Sequence, residues 1–419
     1  MIQRLSYDIL WHLTGLLDRK SLFNVVLVNH TLNDIASRQL YSNLVVWFQI
    51  LSDYNYTVFP QGSLKPQGNS FRIFERRPEL RSAVRSVELR SDGSNPFSRS
   101  PYKPLITISG CCREMPLLIN LRILNVGDLD VPYKCRDLDA IMDAVSTLQH
   151  LQLLKYASYP LPEDSPTLQR LSEIEITSED VDTLRNCSFA KKVVRFATPL
   201  RSLTSVDTPL IKGFPNLRDL SLGEYWSSPE ELCTALEAVP KLTHLRVKLS
   251  VDLNYRYNPK HSYRPTNLTR LSHLTMTFRE GYRFMDDDAL YWLVESIVGQ
   301  SSLSSLGIMW YNLKTAKTRC EKLLQHLFAR HGRTLQKLKL PFFHMTKTSF
   351  QRLAKRMPCL TQLWIGVTPQ MMTWLADVIC TCTKLERLRL YNLDECGFPF
   401  SLSFLQQACT TLKVIKVCQ

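Results

Sequence analysis

Glycine is scarce in this chain of 419 residues: there are 14, and no loop gathers several of them. A cradle for nucleotide phosphates needs closely spaced glycines, so a phosphate loop is excluded, as are the H-E-x-x-H and G-x-S-x-G signatures. The nine histidines are dispersed. The twelve cysteines are scattered too, and the closest pairs, Cys111-Cys112 and Cys380-Thr381-Cys382, lack the C-x-x-C spacing of a zinc site. No metal, no cofactor and no catalytic group is therefore expected, and Cys380 and Cys382 read as buried packing residues. Apolar runs are short: none approaches the ~18 residues a spanning helix requires. The start Met1 to Ser6 leads into no long uncharged apolar stretch, so no secretory leader and no membrane association are expected. Reduced thiols in the cytoplasm or nucleus fit that pattern. Negative charge is in deficit as well. Lys and Arg number 52 against 38 Asp and Glu, a formal net charge of +14, which points to acidic partners or to a solvated basic surface.

What the chain has in abundance is one cassette, Leu-x-x-Leu-x-(Leu/Ile/Val/Met). It reads Leu121-Leu124-Val126, Leu217-Leu220-Leu222, Leu242-Leu245-Val247, Leu271-Leu274-Met276 and Leu303-Leu306-Ile308. It continues as Leu335-Leu338-Leu340, Leu360-Leu363-Ile365, Leu385-Leu388-Leu390 and Leu412-Ile415-Val417. From residue 217 onward the starts are separated by about 25 to 32 residues, the period of a strand-plus-helix repeat. Leu171-Ile174-Ile176 also fits, Leu200-Leu203 is marginal, and Val84, Val87 and Leu89 make a degenerate first copy. Between cassettes lie helical stretches such as Ser228 to Val239, Ala289 to Val298, Arg319 to Arg330, Thr348 to Met357 and Pro369 to Thr381. The fold class implied is α/β, a leucine-rich-repeat solenoid with parallel strands inside and helices outside. Such a body is a surface for holding another macromolecule.

Ahead of the repeats, residues 1–45 carry helical periodicity. Ser6 suits an N-cap, and Ile9, Leu10, Leu13, Leu16 and Leu17 follow at three- and four-residue steps. Two more short stripes follow, Leu22 to Val28 and Leu32 to Tyr41. Three helices this short cannot bury their apolar faces alone, so this segment requires a partner or a cap on the next domain. Residues 46–110 read as a junction and N-terminal cap, and residues 111–419 as the irregular solenoid.

Side chains alternate across a strand with period two, so the cassette phase assigns which residues face outward. In early repeats these are mild or acidic, as Asn125, Glu173 and Glu175. Later they turn basic: His244, Arg246 and Lys248, then Lys337 and Lys339, then Arg387, Arg389 and Tyr391, with Trp364 between the last two sets and Lys416 at the end. Arg246, Lys248, Lys337, Lys339, Trp364, Arg387, Arg389 and Tyr391 are the candidate substrate-binding residues, an anion-recognising column with interleaved aromatics. The neutral Ser305, Gly307 and Met309 divide it into two patches, and ordinary solvated charge is the competing reading.

The pattern Leu5-Ser6-Tyr7-Asp8-Ile9-Leu10, Leu13, Leu16-Leu17-Asp18, Ser21-Leu22, Val25, Val28-Asn29 and Leu32 to Leu44 resembles an F-box. Followed by the cassettes, nearly the whole chain resembles fungal-type F-box proteins with irregular leucine-rich repeats. That resemblance implies a non-catalytic substrate receptor of a cullin-RING ubiquitin ligase, the F-box holding the Skp adaptor and, through it, the cullin. It implies adaptor-side positions, in contact or supporting, at Leu5, Ile9, Leu10, Leu13, Leu17, Leu22, Val25 and Val28. It further implies a protein substrate, acidic or phosphorylated, on the repeats. The repeats carry Tyr225, Tyr311, Phe343 and Leu393 where the family has Asn or Cys. A leucine-rich-repeat scaffold without a ligase role, and a polyanion binder, remain open alternatives; the absence of a recognised nucleic-acid motif makes nucleic acid the least favoured partner.

Overall fold

The computed structural model describes residues 5–48, 74, 76–91, 113–128, 143–157, 171–177, 189–203, 211–225, 229–249, 266–278, 287–310, 320–393, 405, 407 and 409–418. The chain divides after Val193 into two compact units.

The first unit opens with three helices, α1 (Tyr7–Gly15), α2 (Arg19–Val26) and α3 (His30–Leu40). Each begins where a side-chain oxygen takes an otherwise orphaned backbone amide. Ser6 accepts from Ile9 N at 3.5 Å, Asp18 from Ser21 N at 2.7 Å and Asn29 from Leu32 N at 2.9 Å. Parallel strands follow: β1 (Asn43–Phe48), β2 (Ser86–Ser91), β3 (Ile123–Asp128), β4 (Leu153–Ala157) and β5 (Glu173–Thr177), paired in chain order. The ladder thus begins at Asn43, ahead of the division placed at residue 111. Val84, Val87 and Leu89 are buried in cassette fashion. A copy that pattern counting passed over sits at Leu151 and Leu154, both buried, where Tyr156 fills the third position.

The second unit carries β6 (Val193–Leu203, of which Val193 is the last residue of the first unit), β7 (Asp219–Tyr225), β8 (His244–Leu249), β9 (His273–Phe278), β10 (Ser305–Trp310), β11 (Lys337–Leu340), β12 (Gln362–Val367), β13 (Arg387–Asn392) and β14 (Val414–Cys418). These also pair in parallel, each with the next. Described helices between strands are α4 (Pro229–Glu237), α5 (Asp287–Val298), α6 (Glu321–Arg330), α7 (Lys347–Arg356) and α8 (Pro369–Ile379). The fold is the α/β leucine-rich-repeat solenoid. One cassette needs re-phasing. Phe196 pairs with Leu220, and Val193 and Phe196 are both fully buried, so that repeat is built on Val193 and Phe196 and not on Leu200-Leu203. Phe at a leucine site hides the period from a leucine count while filling the same core space.

The strand entries are tied by a carbonyl relay. Arg218 O accepts from both Thr243 N and His244 N; Thr243 O accepts in turn from Ser272 N and His273 N, and Ser272 O from Ser304 N and Ser305 N. A hydroxyl joins at the same oxygens: Thr243 Oγ1 donates to Arg218 O at 2.9 Å, Ser272 Oγ to Thr243 O at 3.1 Å, Ser304 Oγ to Ser272 O at 3.0 Å and Thr361 Oγ1 to Gln336 O at 3.1 Å. Buried or half-buried carbonyls must find partners, and here Ser and Thr just after the first cassette leucine help supply them. Three positions beyond the last cassette residue, Phe343 and Leu393 are buried, and Phe343 packs edge-on to Trp310 at 4.7 Å between ring centroids.

Candidate binding surfaces

In the helical segment, the side chains sort sharply. Leu10, Leu32 and Ile35 form one buried cluster and Leu22, Ala36 and Leu40 another, with Val25 packed against both. Asn33 Nδ2 donates to Val26 O at 3.0 Å and Gln39 Nε2 to Trp11 O at 2.6 Å, fastening α3 to its neighbours. Leu5, Ile9, Leu13, Leu17 and Val28 stay exposed. Of the sequence-derived adaptor positions, then, Leu10, Leu22 and Val25 hold the bundle together and the other five stand on its surface. The most exposed apolar side chains were not among them: Leu16 is 83% exposed and Leu27 84%. Both are C-cap residues, of α1 and α2 respectively; Leu16 belongs to the stripe read from the sequence but not to the adaptor positions, and Leu27 to neither. Phe23 is exposed as well, and on α1 the exposed Tyr7 and Trp11 stack at 6.4 Å between ring centroids. These exposed large apolar groups make the helical module a candidate interaction surface.

In the second unit, register aligns Ser221, Arg246, Thr275, Gly307, Lys339, Trp364, Arg389 and Lys416 in one line across eight strands. The line on one side of it runs Asp219, His244, His273, Ser305, Lys337, Gln362 and Arg387. On the other side, Lys248 pairs with Thr277 on β9, and Tyr391 with Gly366 on β12. Two neutral strands separate Arg246 and Lys248 from Lys337 and Lys339, so the basic column is two patches. The patch on β11 to β14 is the more structured. Lys339 Nζ lies 4.2 Å and the Arg389 guanidinium carbon 4.1 Å from the centroid of the Trp364 ring. Tyr391 adds an aromatic wall, 6.4 Å from Trp364 and 6.0 Å from Phe342 between centroids.

Electrostatics reflect this crowding of like charge. Partial burial lowers the Lys339 ammonium pKa below its ordinary value, helped by Lys337, Arg389 and Arg246. Burial lowers His273 too, followed by the ring of His244, stacked on it at 4.1 Å. Among the described residues, Arg246, Lys337, Lys339, Arg387 and Arg389 have no carboxylate within ion-pair distance; the pairs Arg195–Asp219 at 2.8 Å and Lys413–Glu386 at 2.8 Å lie elsewhere. The corresponding line in the first unit carries Glu88, Asn125, Lys155 and Glu175, with Lys155 paired to Glu175 at 3.1 Å.

Cys382 is buried, and burial pushes its thiol up to about 12; Cys380, expected to be buried, is exposed, its Sγ donating to Asp377 O. Helix α8 ends at Ile379, so Cys380 lies on the exit turn, beyond the helix's buried face. Among the described residues no helix is long and apolar enough to cross a membrane.

No family model matches the chain, and no curated protein matches it. Among solved structures, the crystal structure of a TLR13-ssRNA13 complex aligns with TM-score 0.35 and 14% sequence identity, over 80% of this chain and 39% of that one. The chain spans about two fifths of the length of the solved chain it matches.

Proposed function

We propose that the chain is the substrate-recognition subunit of a Skp-cullin-F-box ubiquitin ligase. The helices α1 to α3 dock the Skp adaptor, and through it the cullin, while the repeats hold a protein substrate. The chain contributes proximity and performs no chemistry of its own. One observation carries the reading: the helical module keeps Leu16, Leu27 and Val28 in water, as well as Ile9, Leu13 and Phe23, although the same helices already have a satisfied interior. An end cap for the solenoid would turn that face inward. A surface for a second protein leaves it free.

The test is capture of the purified Skp adaptor by the full-length chain. Leu16→Asp combined with Leu27→Asp removes apolar contact area without touching the helical interior, and is expected to weaken capture more than tenfold at an unchanged melting temperature. Leu10→Asp, which strikes the core, is expected to lower stability as well. Failure of the unaltered chain to bind the adaptor, or full binding by the double variant, would remove the ligase reading.

A further inference from the structure

We propose that the strand face around Trp364 is a built recognition site for an acidic peptide segment, Asp/Glu-rich or phosphorylated, in the partner that the repeats hold. The proposal rests on the receptor reading above and gives it a ligand class.

The case begins with placement. Trp364 stands on β12, and the cations over its ring come from the strands on either side, Lys339 on β11 and Arg389 on β13. Two cations sharing one indole repel each other, yet each gains the ring's quadrupole and gives up rotamer freedom before any ligand arrives. That is preorganisation. An anion arriving here meets donors already in position and partly stripped of water, so the ordering cost of binding is reduced. A guanidinium lying over an aromatic ring keeps its N–H donors in its own plane; Arg389 gives one hydrogen bond to the Tyr391 side chain, and the rest of its fork is open to a carboxylate or phosphate. Lys337 and Arg387 continue the positive charge on one side, and Lys416 on the next strand.

The shape of the charge selects the ligand. The cations occupy three of four successive strands, with β12 between them carrying Trp364, a span of ~15 Å at the usual strand spacing, and do not converge on one point. A segment carrying several anionic groups fits this better than a single phosphoryl group. Nucleic acid fits worse: single strands bind by stacking bases on open aromatic faces, and here the indole is already covered by Lys339 and Arg389. On the other side, Gly307 and Thr275 bound the patch with neutral strands.

Trp364 supplies the decisive variant because replacing it changes no charge. Fluorescence anisotropy would follow three labelled peptides against the full-length chain: an octapeptide rich in Glu and Asp, a phosphoserine peptide of equal charge, and a Gln/Asn counterpart. A single-stranded oligonucleotide of similar charge is the fourth probe. Expected are binding of one or both anionic peptides and not the neutral one, a loss of about tenfold in Trp364→Ala, and a similar loss in Arg389→Gln. Trp364→Phe should retain most of the affinity, and Lys347→Gln with Lys355→Gln, on helix α7, should stay within about twofold. Equal binding by Trp364→Ala, an equal loss in the α7 double variant, or tighter capture of the oligonucleotide would overturn the proposal. Adaptor capture by the Trp364 variants, measured alongside, separates the two readings: it should be unaffected, just as Leu16→Asp with Leu27→Asp should leave peptide binding intact.

Discussion

At the scale of single residues, two buried positions carry consequences that their residue types alone do not announce. His331 is fully buried, and its Nδ1 accepts from Leu303 N at 3.3 Å. Burial first, then His326 and Arg330, push its pKa down from 6.5 to about 4, so the folded protein holds it neutral. Between those values the unfolded chain binds a proton that the native state refuses. Stability is therefore complete above pH 6.5 and falls as pH drops toward 4. Urea unfolding should show a loss of about 2 kcal/mol between pH 7 and pH 5 from this group, at 1.36 kcal/mol per unit of displacement; His331→Gln should flatten that part of the profile. Gly299 is the second. Its φ is +55°, and a Cβ there would stand 1.9 Å from Thr266 O. It follows the end of α5, where a left-handed residue closes the helix. Gly299→Ala faces both the strained dihedral and a backbone collision, and should cost about 2 to 4 kcal/mol in the same measurement. Neither position was visible as special in the sequence: a histidine in a polar-looking stretch and a glycine after a helix are common, and only the atoms packed around them give them weight.

At the scale of elements, caps and cassettes behave as local rules predict. Asn29 Oδ1 caps α3, and Asn29→Ala should cost about 1 kcal/mol by thermal unfolding. Within a strand the rule is sharper. Leu338 is fully buried, whereas Lys337 and Lys339 on either side of it are only partly buried. Leu338→Ala should lose about 2 to 5 kcal/mol through lost burial and the cavity left behind. Lys339→Gln in the free protein should cost less than about 1 kcal/mol, because the lost contact with the Trp364 ring is offset by relief of repulsion from Arg389 and Lys337. Chemical denaturation of the two variants compares these directly; an equal loss in both would contradict the assigned phase. The helical stripes and outward strand positions were legible because period and chemistry coincide there. The exposure of Leu16 and Leu27 was not: Leu16 sits in the stripe with Leu10, yet as C-cap residues both stand where the chain turns away from the buried face.

For the whole molecule, a repeat array couples each repeat mainly to its neighbours. In the second unit, Leu220→Ala on β7 should raise amide exchange first in β6 to β8, with β11 to β13 protected longer; uniform loosening across the unit would speak against this nearest-neighbour coupling. What the sequence by itself determined is the architecture: the spacing of its leucines dictates parallel strands, and strand parity dictates which side chains leave the core, because both follow from backbone geometry shared by every chain. Even its misses, Leu151-Leu154 and Val193-Phe196, are the same rule written in other apolar residues. Only the tertiary structure decided which surface groups act together. Register placed Trp364 between Lys339 and Arg389, residues 25 positions away on either side in the chain, and packing left Leu16 and Leu27 in water. Those outcomes depend on where different strands and helix ends fall in space, and no local pattern of residues encodes that distance.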